Sequence, residues 1–195
     1  NWQSEGFRYY YCTVIEIDEL TEGAACTALL AEKYINNNES LLIANSDQFI
    51  EWNKVSFLNR CNSSDIDGLI LTFKSTDPNC SYVKTGEGGY ITQCREKERI
   101  STVGTVGIYF WSRGKDFVRC AHKMIEKNLR VNREFYICPS YNEAIAEGAR
   151  IKGFPVEDVW QIGTPVDLQC FVTNCLGYPD GDPDMWANIP PNEII

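Results

Sequence analysis

Asp47 is the residue in this sequence best placed for chemistry. It follows the apolar run Leu41–Ala44 after the small polar residues Asn45 and Ser46. An apolar run without polar alternation predicts a central strand covered on both faces, and ligands bind at the carboxyl ends of strands in open α/β sheets. A carboxylate there can hold a hard cation such as Mg²⁺ and leave coordination positions for phosphate oxygens. The alternative is that Ser46 and Asp47 cap a helix or turn the chain.

The single histidine argues against nucleophilic catalysis. His122 lies in a predicted helix at residues 114–125, whose apolar positions share one face. His122 falls away from that face, which predicts an exposed side chain. Ser–His or Cys–His chemistry would depend on this one residue. Metal-assisted phosphoryl or nucleotidyl transfer needs neither a histidine nor a covalent intermediate, so it fits the residue inventory better.

Composition narrows the class of protein and its partners. The chain has 195 residues, which suits one domain, and a formal net charge of -9. This charge argues against nucleic acid or an anionic membrane as a partner, and no apolar run approaches transmembrane length. The nine cysteines are odd in number and include no C-x-x-C pair. We therefore expect buried free thiols rather than disulfides, and a cytoplasmic location.

The residues before Asp47 predict a strand–helix–strand unit. Residues 9–17 are rich in aromatic and β-branched side chains and predict a strand. Residues 21–35 carry apolar side chains at helical spacing, with Thr21 as the N-cap and Gly23 allowing a planar ligand close to the backbone. The chain then enters the Leu41–Ala44 strand. The loops of this unit would lie at one edge of a sheet.

The rest of the chain predicts a mixed α/β arrangement. Strands and helices alternate early, and a hairpin is inserted in the middle. Residues 177–195 are rich in Pro, Asp and Gly and predict an extended tail. The predicted elements are strands at 66–74, 103–111 and 156–162, a hairpin at 81–85 and 90–94, and helices at 139–147 and from Pro165 onward.

The chain resembles the sugar-phosphate nucleotidyltransferases, also called NDP-sugar pyrophosphorylases. The resemblance lies in TEGAACTALLAEKYI, LLIANSDQ and, further on, segments that end with WQIGTP, all in the family's order. It covers roughly residues 9–175 and implies a Rossmann-like, GT-A-related three-layer sandwich with a mixed, mostly parallel sheet and an inserted hairpin. The domain would span residues 1–176, and the tail residues 177–195.

The resemblance also implies a reaction and a set of site residues. A nucleoside triphosphate would react with a phosphorylated acceptor, a sugar 1-phosphate above all, to give pyrophosphate and an NDP-sugar-type product. Asp47 would bind Mg²⁺, and Asp47 and Lys97 would be catalytic. The nucleotide-binding positions would be Thr21, Gly23 and Ala24, and the acceptor-binding positions Glu96, Thr105, Gly107, Tyr109 and Glu134.

Each of these roles has a structural alternative. Glu96 and Lys97 belong to a charged run at residues 95–99 that could be solvated. Gly107 and Tyr109 could form an ordinary core strand, and Glu134 could pair with a nearby arginine. The sequence alone leaves both interpretations open at these positions.

The sequence departs from the family's pattern in two ways. It has no G-x-G-T/S-R loop, the segment that cradles the triphosphate with backbone N–H groups, so we expect an N-terminally incomplete chain. Gln161 replaces the family's second metal-binding Asp and offers one neutral carbonyl oxygen. A missing first strand would leave a gap that another chain, a further segment or a second copy fills. A non-catalytic binding or assembly domain and a GT-A glycosyltransferase are the alternative functions.

Overall fold

A six-stranded mixed sheet forms the centre of the structure, a computed structural model that describes residues 12–175. A two-stranded sheet lies beside it. The strands are β1 (Leu41–Ala44), β2 (Gln48–Glu51), β3 (Gly68–Lys74), β4 (Ser81–Thr85), β5 (Ile91–Glu96), β6 (Val103–Trp111), β7 (Ile151–Pro155) and β8 (Asp158–Gln161). The helices are α1 (Ala24–Leu29), α2 (Glu32–Ile35), α3 (Lys54–Cys61), α4 (Gly114–Glu126), α5 (Ile137–Ala146) and α6 (Pro165–Asn174).

Strand β6 organises the main sheet. It pairs antiparallel with β3 along one edge, and with both β1 and β4 along the other. Strand β3 pairs parallel with β7, and β4 pairs antiparallel with β5. Strands β1, β3, β4 and β7 therefore run in one direction, and β5 and β6 run in the other. The predicted mixed α/β sheet is confirmed, and the smaller sheet is the antiparallel pair of β2 and β8.

Two apolar cores cover the two faces of the sheet. Alternate residues of β3 and β6 point to opposite sides, so Ile70 and Tyr109 enter one core and Leu71 and Phe110 enter the other. Helices α4 and α5 pack on the first face, and α3 contributes Phe57 to the second. Helices on both faces of one sheet give the three layers that the resemblance implies.

Several predicted elements are confirmed with close boundaries. The hairpin corresponds to β4 and β5, the strand at 103–111 is β6, and the helix at 114–125 is α4. His122 is exposed on α4. Helix α6 begins with Pro165 at its first position, where a missing N–H costs nothing, and the Thr164 side chain caps it.

The predicted strand–helix–strand unit is wrong. Residues 12–17 form no strand and are exposed, and residues 9–11 lie outside the described part of the chain. The single helix expected at 21–35 is two short helices, α1 and α2, separated at Leu30 and Ala31. Gly23 occupies the N-cap position, whereas the Thr21 hydroxyl donates to the Gly23 carbonyl oxygen at 3.2 Å. Local propensity marked the helical region but not its break.

Within the described residues, Leu41–Ala44 is a strand as predicted but lies at an edge of the sheet and not at its centre. Strand β1 pairs with β6 alone, so within residues 12–175 its other edge is unpaired. Its residues alternate between partly buried and exposed, and Leu42 is 50% exposed. A four-residue apolar run cannot distinguish an edge from a centre, because the pairing depends on strands elsewhere in the chain.

Other elements were not predicted. These are β2, α3 and β7; β7 contains Gly153 and Pro155, two residue types that are rare in strands. All nine cysteines are free, as expected, but only Cys94, Cys120 and Cys138 are buried. Between residues 12 and 175, no helix is long and apolar enough to cross a membrane. The predicted tail at 177–195 lies outside the described residues.

Candidate active site

A cleft of about 580 Å³ brings together most of the predicted site residues. It lies between the ends of β1 and β5, the middle of β6 and the start of α6. Thr21, Gly23 and Glu134 do not line it. The predicted residues in its lining are Ala24, Asp47, Glu96, Lys97, Thr105, Gly107 and Tyr109, and Gln161 is there with them.

Asp47 lies in the link between the two sheets. Strand β1 ends at Ala44 and β2 begins at Gln48, so Asp47 caps no helix. Its carbonyl oxygen accepts from the Ile162 N–H at 2.9 Å, and its carboxylate packs against Gly163, where an added Cβ would lie 2.6 Å from Oδ2. Pairing of β2 with β8 thus places Asp47 beside the Gln161 segment, although the two are far apart in sequence.

These two residues form a modest donor set for a cation. The Asp47 carboxylate is exposed to the cleft, and Gln161 can add one amide oxygen. Among residues 12–175, no cluster of three or more His, Cys, Asp or Glu side chains could hold a metal ion. Mg²⁺ fits such a site, because it keeps several waters and binds through one or two carboxylates together with substrate phosphates.

Gly107 makes room for two amide side chains next to Asp47. Its φ of 91° lies in the left-handed region, and the β3–β6 register shifts nearby. An added Cβ would lie 2.5 Å from Asn45 Nδ2 and 2.9 Å from Gln48 Nε2. The Asn45 N–H also donates to the Gly107 carbonyl at 3.0 Å. The glycine therefore has a packing reason that is independent of any acceptor.

Glu96 is buried at the end of β5. Its residue is 8% exposed, and the Ser81 hydroxyl donates to its carboxylate. Burial raises the pKa of the Glu96 carboxyl, while the Ser81 hydrogen bond and the Lys97 charge act in the opposite direction. The solvated-run alternative therefore does not hold for Glu96, although its neighbours Arg95 and Glu98 are exposed.

Lys97 is held at both its main chain and its side chain. Its φ is 52°, and its N–H donates to the Cys80 carbonyl at 3.1 Å. Its Nζ donates to the Tyr136 hydroxyl at 2.7 Å, and that hydroxyl donates to the Glu134 carboxylate. Glu134 thus reaches the cleft through Tyr136. The alternative was an ion pair with Arg130 or Arg133. Within residues 12–175 Glu134 pairs with neither arginine, and Arg130 pairs with Glu22.

The loop expected to bind the nucleotide contributes Ala24 alone to the cleft. Gly23 has a φ of 120°, and an added Cβ would lie 2.6 Å from the Phe135 carbonyl oxygen. Two backbone hydrogen bonds join this loop to Phe135. The Ala25 N–H donates to the Phe135 carbonyl at 2.9 Å, and the Phe135 N–H donates to the Glu22 carbonyl at 2.8 Å. Close packing against Phe135 accounts for the glycine.

Tyr109 belongs to both the core and the cleft. Its residue is 5% exposed, and its hydroxyl lies 3.1 Å from the Thr105 hydroxyl. Burial raises the pKa of Tyr109 well above its usual range, so the phenol keeps its proton. Tyr109 therefore belongs to a core strand and also lines the cleft, and its contact with an acceptor stays a prediction.

Sequence reasoning missed a second group of cleft residues. Ser81 could have been found, since the hairpin register places it opposite Glu96. Tyr136 could not, because no local pattern links it to Lys97. Lys97 is the one cationic side chain in the lining that the described residues provide, against four carboxylates. The missed residues are Asp77, Asn79, Cys80, Ser81, Tyr136 and Asp167.

Comparison with known proteins bears on the fold. No protein-family model and no curated protein matches the sequence. Solved structures do match. A nucleoside-diphosphate-sugar pyrophosphorylase from Vibrio cholerae RC9 has a TM-score of 0.66 at 23% identity, over 81% of this chain and 68% of that one.

Two further structures agree. The inositol-1-phosphate CTP transferase from T. maritima has a TM-score of 0.57 at 18% identity, over 80% of this chain and 62% of that one. A UDP-glucose pyrophosphorylase complexed with UDP-glucose has a TM-score of 0.62 at 14% identity, over 76% of this chain and 60% of that one. This chain has the sugar-phosphate nucleotidyltransferase fold. It spans about two thirds or less of the length of these proteins.

Proposed function

We propose that this protein transfers a nucleotidyl group from a nucleoside triphosphate to a phosphorylated acceptor, a sugar 1-phosphate above all, and releases pyrophosphate. The observation that carries the proposal is the meeting of Asp47 and Lys97 in one cleft. The fold supports it, since the similar structures are nucleotidyltransferases of this kind.

The proposal includes Mg²⁺ as cofactor. Asp47 would hold the ion, and Gln161 would contribute a weaker, neutral oxygen. An ion held there would supply positive charge that offsets the negative charge developing on the phosphates. Because one carboxylate leaves most of the coordination shell to phosphates and water, the nucleotide and the ion should bind together.

The proposed reaction is a direct displacement at the α-phosphorus, in which the cleft residues bind and orient the substrates. An acceptor phosphate oxygen attacks the α-phosphorus, the bond from that phosphorus to the bridging oxygen breaks, and pyrophosphate leaves with the electron pair. The attacking phosphate is already ionised, so the reaction needs no general base, and exposed His122 is not among the cleft residues. Lys97 binds phosphate, and Glu96 and Tyr109 orient polar groups of the acceptor.

As residues 12–175 form it, the cleft has few positive charges to offset those of a triphosphate. Within the described residues its lining offers one cation, Lys97, and four carboxylates. Among the strands of residues 12–175, none pairs with the second edge of β1. We therefore include in the proposal another polypeptide segment that pairs with β1 and completes the sheet beside the cleft. The free cysteines suit a reducing compartment, and we propose the cytoplasm.

A pyrophosphate-release assay tests the proposal. The protein is given Mg²⁺, each of the common nucleoside triphosphates and a panel of sugar 1-phosphates. We expect release with at least one pair, its loss in Asp47→Asn, and its retention in Asp18→Asn, an exposed carboxylate that does not line the cleft. If an NDP-sugar binds but no pair reacts, the protein is instead a binding domain. Sugar transfer from an NDP-sugar without pyrophosphate release would indicate a glycosyltransferase.

A further inference from the structure

The side chains of Glu134, Tyr136 and Lys97 are joined by two hydrogen bonds in series, and the series ends at the Lys97 ammonium. We propose that Tyr136 is a positioning residue that fixes the Lys97 amino group in the cleft, and that Glu134 acts on the acceptor site through Tyr136 without touching the acceptor. The inference rests on the proposed function in one respect, since it takes Lys97 as the phosphate-binding side chain.

The donor and acceptor chemistry of the three groups allows only one direction for the two hydrogen bonds. An ammonium can only donate and an ionised carboxylate can only accept. The Tyr136 hydroxyl has a single proton, which it donates to Glu134, so its lone pairs face Lys97 Nζ at 2.7 Å. Glu134 therefore orients the hydroxyl, and the hydroxyl orients the ammonium. Both bonds involve a charged group and are stronger than bonds between neutral groups.

The backbone of Lys97 limits the side chain further. Lys97 Nζ lies 2.7 Å from the Tyr136 hydroxyl and 4.8 Å from the centroid of its ring, so the ammonium lies beyond the ring edge, beside the hydroxyl. The Lys97 backbone is held by Cys80 in a conformation that few non-glycine residues adopt. A lysine side chain normally loses considerable rotamer freedom when it binds a ligand. Here much of that loss occurs on folding, which favours phosphate binding.

The backbone next to Tyr136 is itself fixed. Phe135 exchanges main-chain hydrogen bonds with Glu22 and Ala25, and the Arg130 guanidinium lies 4.0 Å from the centroid of its ring. Ala24, between those two partners, lines the cleft. These contacts therefore fix the position of Tyr136 relative to the loop at residues 22–25, whose Ala24 lines the same cleft.

The electrostatics of Lys97 agree with this arrangement. The groups that face it are Tyr136, Glu96 and Glu134. The Tyr136 hydrogen bond raises the pKa of Lys97 most strongly, the two carboxylates add to this, and partial burial opposes it. The ammonium thus stays charged, with N–H groups left over for a phosphate.

A titration tests the series of hydrogen bonds without any substrate. Lysine amines are methylated with ¹³C-formaldehyde, the Lys97 signal is assigned with Lys97→Arg, and its pKa is followed by NMR. We expect the pKa to fall in Tyr136→Phe, because the hydrogen bond that raises it most is lost, and to fall by less in Glu134→Gln. Tyr34→Phe is the matched control, since that exposed tyrosine faces Lys33 outside the cleft. An unchanged pKa in Tyr136→Phe would overturn the inference.

A double-mutant cycle tests the direction of the series. With glucose 1-phosphate as the probe, or the sugar 1-phosphate that gives the fastest pyrophosphate release, Tyr136→Phe should raise the acceptor KM about tenfold and Glu134→Gln by less. In the Tyr136→Phe background, Glu134→Gln should have no further effect. An equal effect in both backgrounds would mean that Glu134 contacts the acceptor directly.

A third background separates positioning from direct contact. In Lys97→Met the Tyr136→Phe change should leave the acceptor KM unaltered, and a further rise would show that Tyr136 contacts the acceptor itself. If the unmodified protein releases no pyrophosphate with any pair, the proposed function fails. The titration still decides whether Tyr136 positions Lys97.

Discussion

At the scale of single residues, Asp47 and Gln161 would determine how tightly the cleft holds the proposed Mg²⁺. One carboxylate with one neutral amide predicts that Mg²⁺ binds weakly without nucleotide. Asp47→Asn should lower pyrophosphate release about 100-fold or more, because no second carboxylate compensates. Gln161→Asp should lower the Mg²⁺ concentration needed for half-maximal activity.

Calorimetry of the nucleotide-free protein provides the check on that prediction. Tight Mg²⁺ binding to the unmodified protein, or near-normal release by Asp47→Asn, would contradict it. Gln93→Asp is a suitable control for the added charge, because Gln93 lies on β5 and does not line the cleft.

Glu96 gives a prediction about pH and stability. Burial raises its pKa in the folded protein, so folding favours the protonated form and this contribution to stability is lost as pH rises through the folded-state pKa. Glu96→Gln removes the ionisation and can still accept from Ser81. We expect its melting temperature to exceed that of the unmodified protein by about 2–4 °C at about pH 8.

Thermal unfolding across pH measures this difference. It should shrink as the pH falls toward the usual pKa of glutamate, about 4.3. A constant difference, or a less stable variant at high pH, would show that the buried carboxylate is compensated. Glu98→Gln serves as the control, because Glu98 is adjacent and exposed.

Residues that line the cleft could be predicted from the sequence where a local pattern marks them. Asp47 was found because it ends an apolar run, and Glu96 and Lys97 because they follow a recognisable hairpin. The bond between Lys97 and Tyr136 joins residues 39 positions apart, and nothing in either neighbourhood signals it. The packing of Gly23 against Phe135 could not be predicted either, because the two residues are far apart in the sequence.

At the scale of elements, turns and caps were more predictable than sheet positions. The glycines between β4 and β5 and the proline at the start of α6 act locally, and both predictions are confirmed. Strand β1 was assigned to the sheet centre because its composition resembles that of a covered strand. Its place at an edge depends on which strands exist elsewhere, a property that its four residues do not contain.

The irregularity of β6 at Gly107 leads to a prediction at this scale. Gly107→Ala must adopt a φ of 91° and place a Cβ against the Asn45 and Gln48 amides. Gly148→Ala must adopt a φ of 87° but meets nothing within 4 Å, so it isolates the cost of the backbone conformation. That cost is about 1–2 kcal/mol. We expect the free energy of unfolding of Gly107→Ala to fall by about 1 kcal/mol more than that of Gly148→Ala, as at other overpacked sites.

Denaturant unfolding of the two variants measures the two free energies. Equal losses would show that the amide side chains of Asn45 and Gln48 move aside freely. In that case the glycine would be required only for its backbone conformation and not for packing. Such a result would favour a role of Gly107 in leaving room for the acceptor.

At the scale of the whole molecule, two features act on association in opposite directions: one edge of β1 has no partner within residues 12–175, and the net charge is strongly negative. An exposed strand edge promotes association, and Leu42 on β1 is 50% exposed. A net charge of -9 opposes the approach of a second copy. The balance between the two should depend on ionic strength, because screening weakens the repulsion and leaves the edge unchanged.

We therefore predict that the isolated protein associates more strongly as salt is raised, and that Leu42→Lys reduces this association. A lysine on an edge strand makes pairing with another strand costly, because its charge would be buried. Leu58→Lys is the matched control, since Leu58 on α3 is 58% exposed and the change in net charge is the same. Sedimentation velocity at several salt and protein concentrations measures the effect. If the protein stays monomeric throughout, or if both variants behave alike, β1 is not a pairing edge, and the proposed strand-supplying segment must be abandoned.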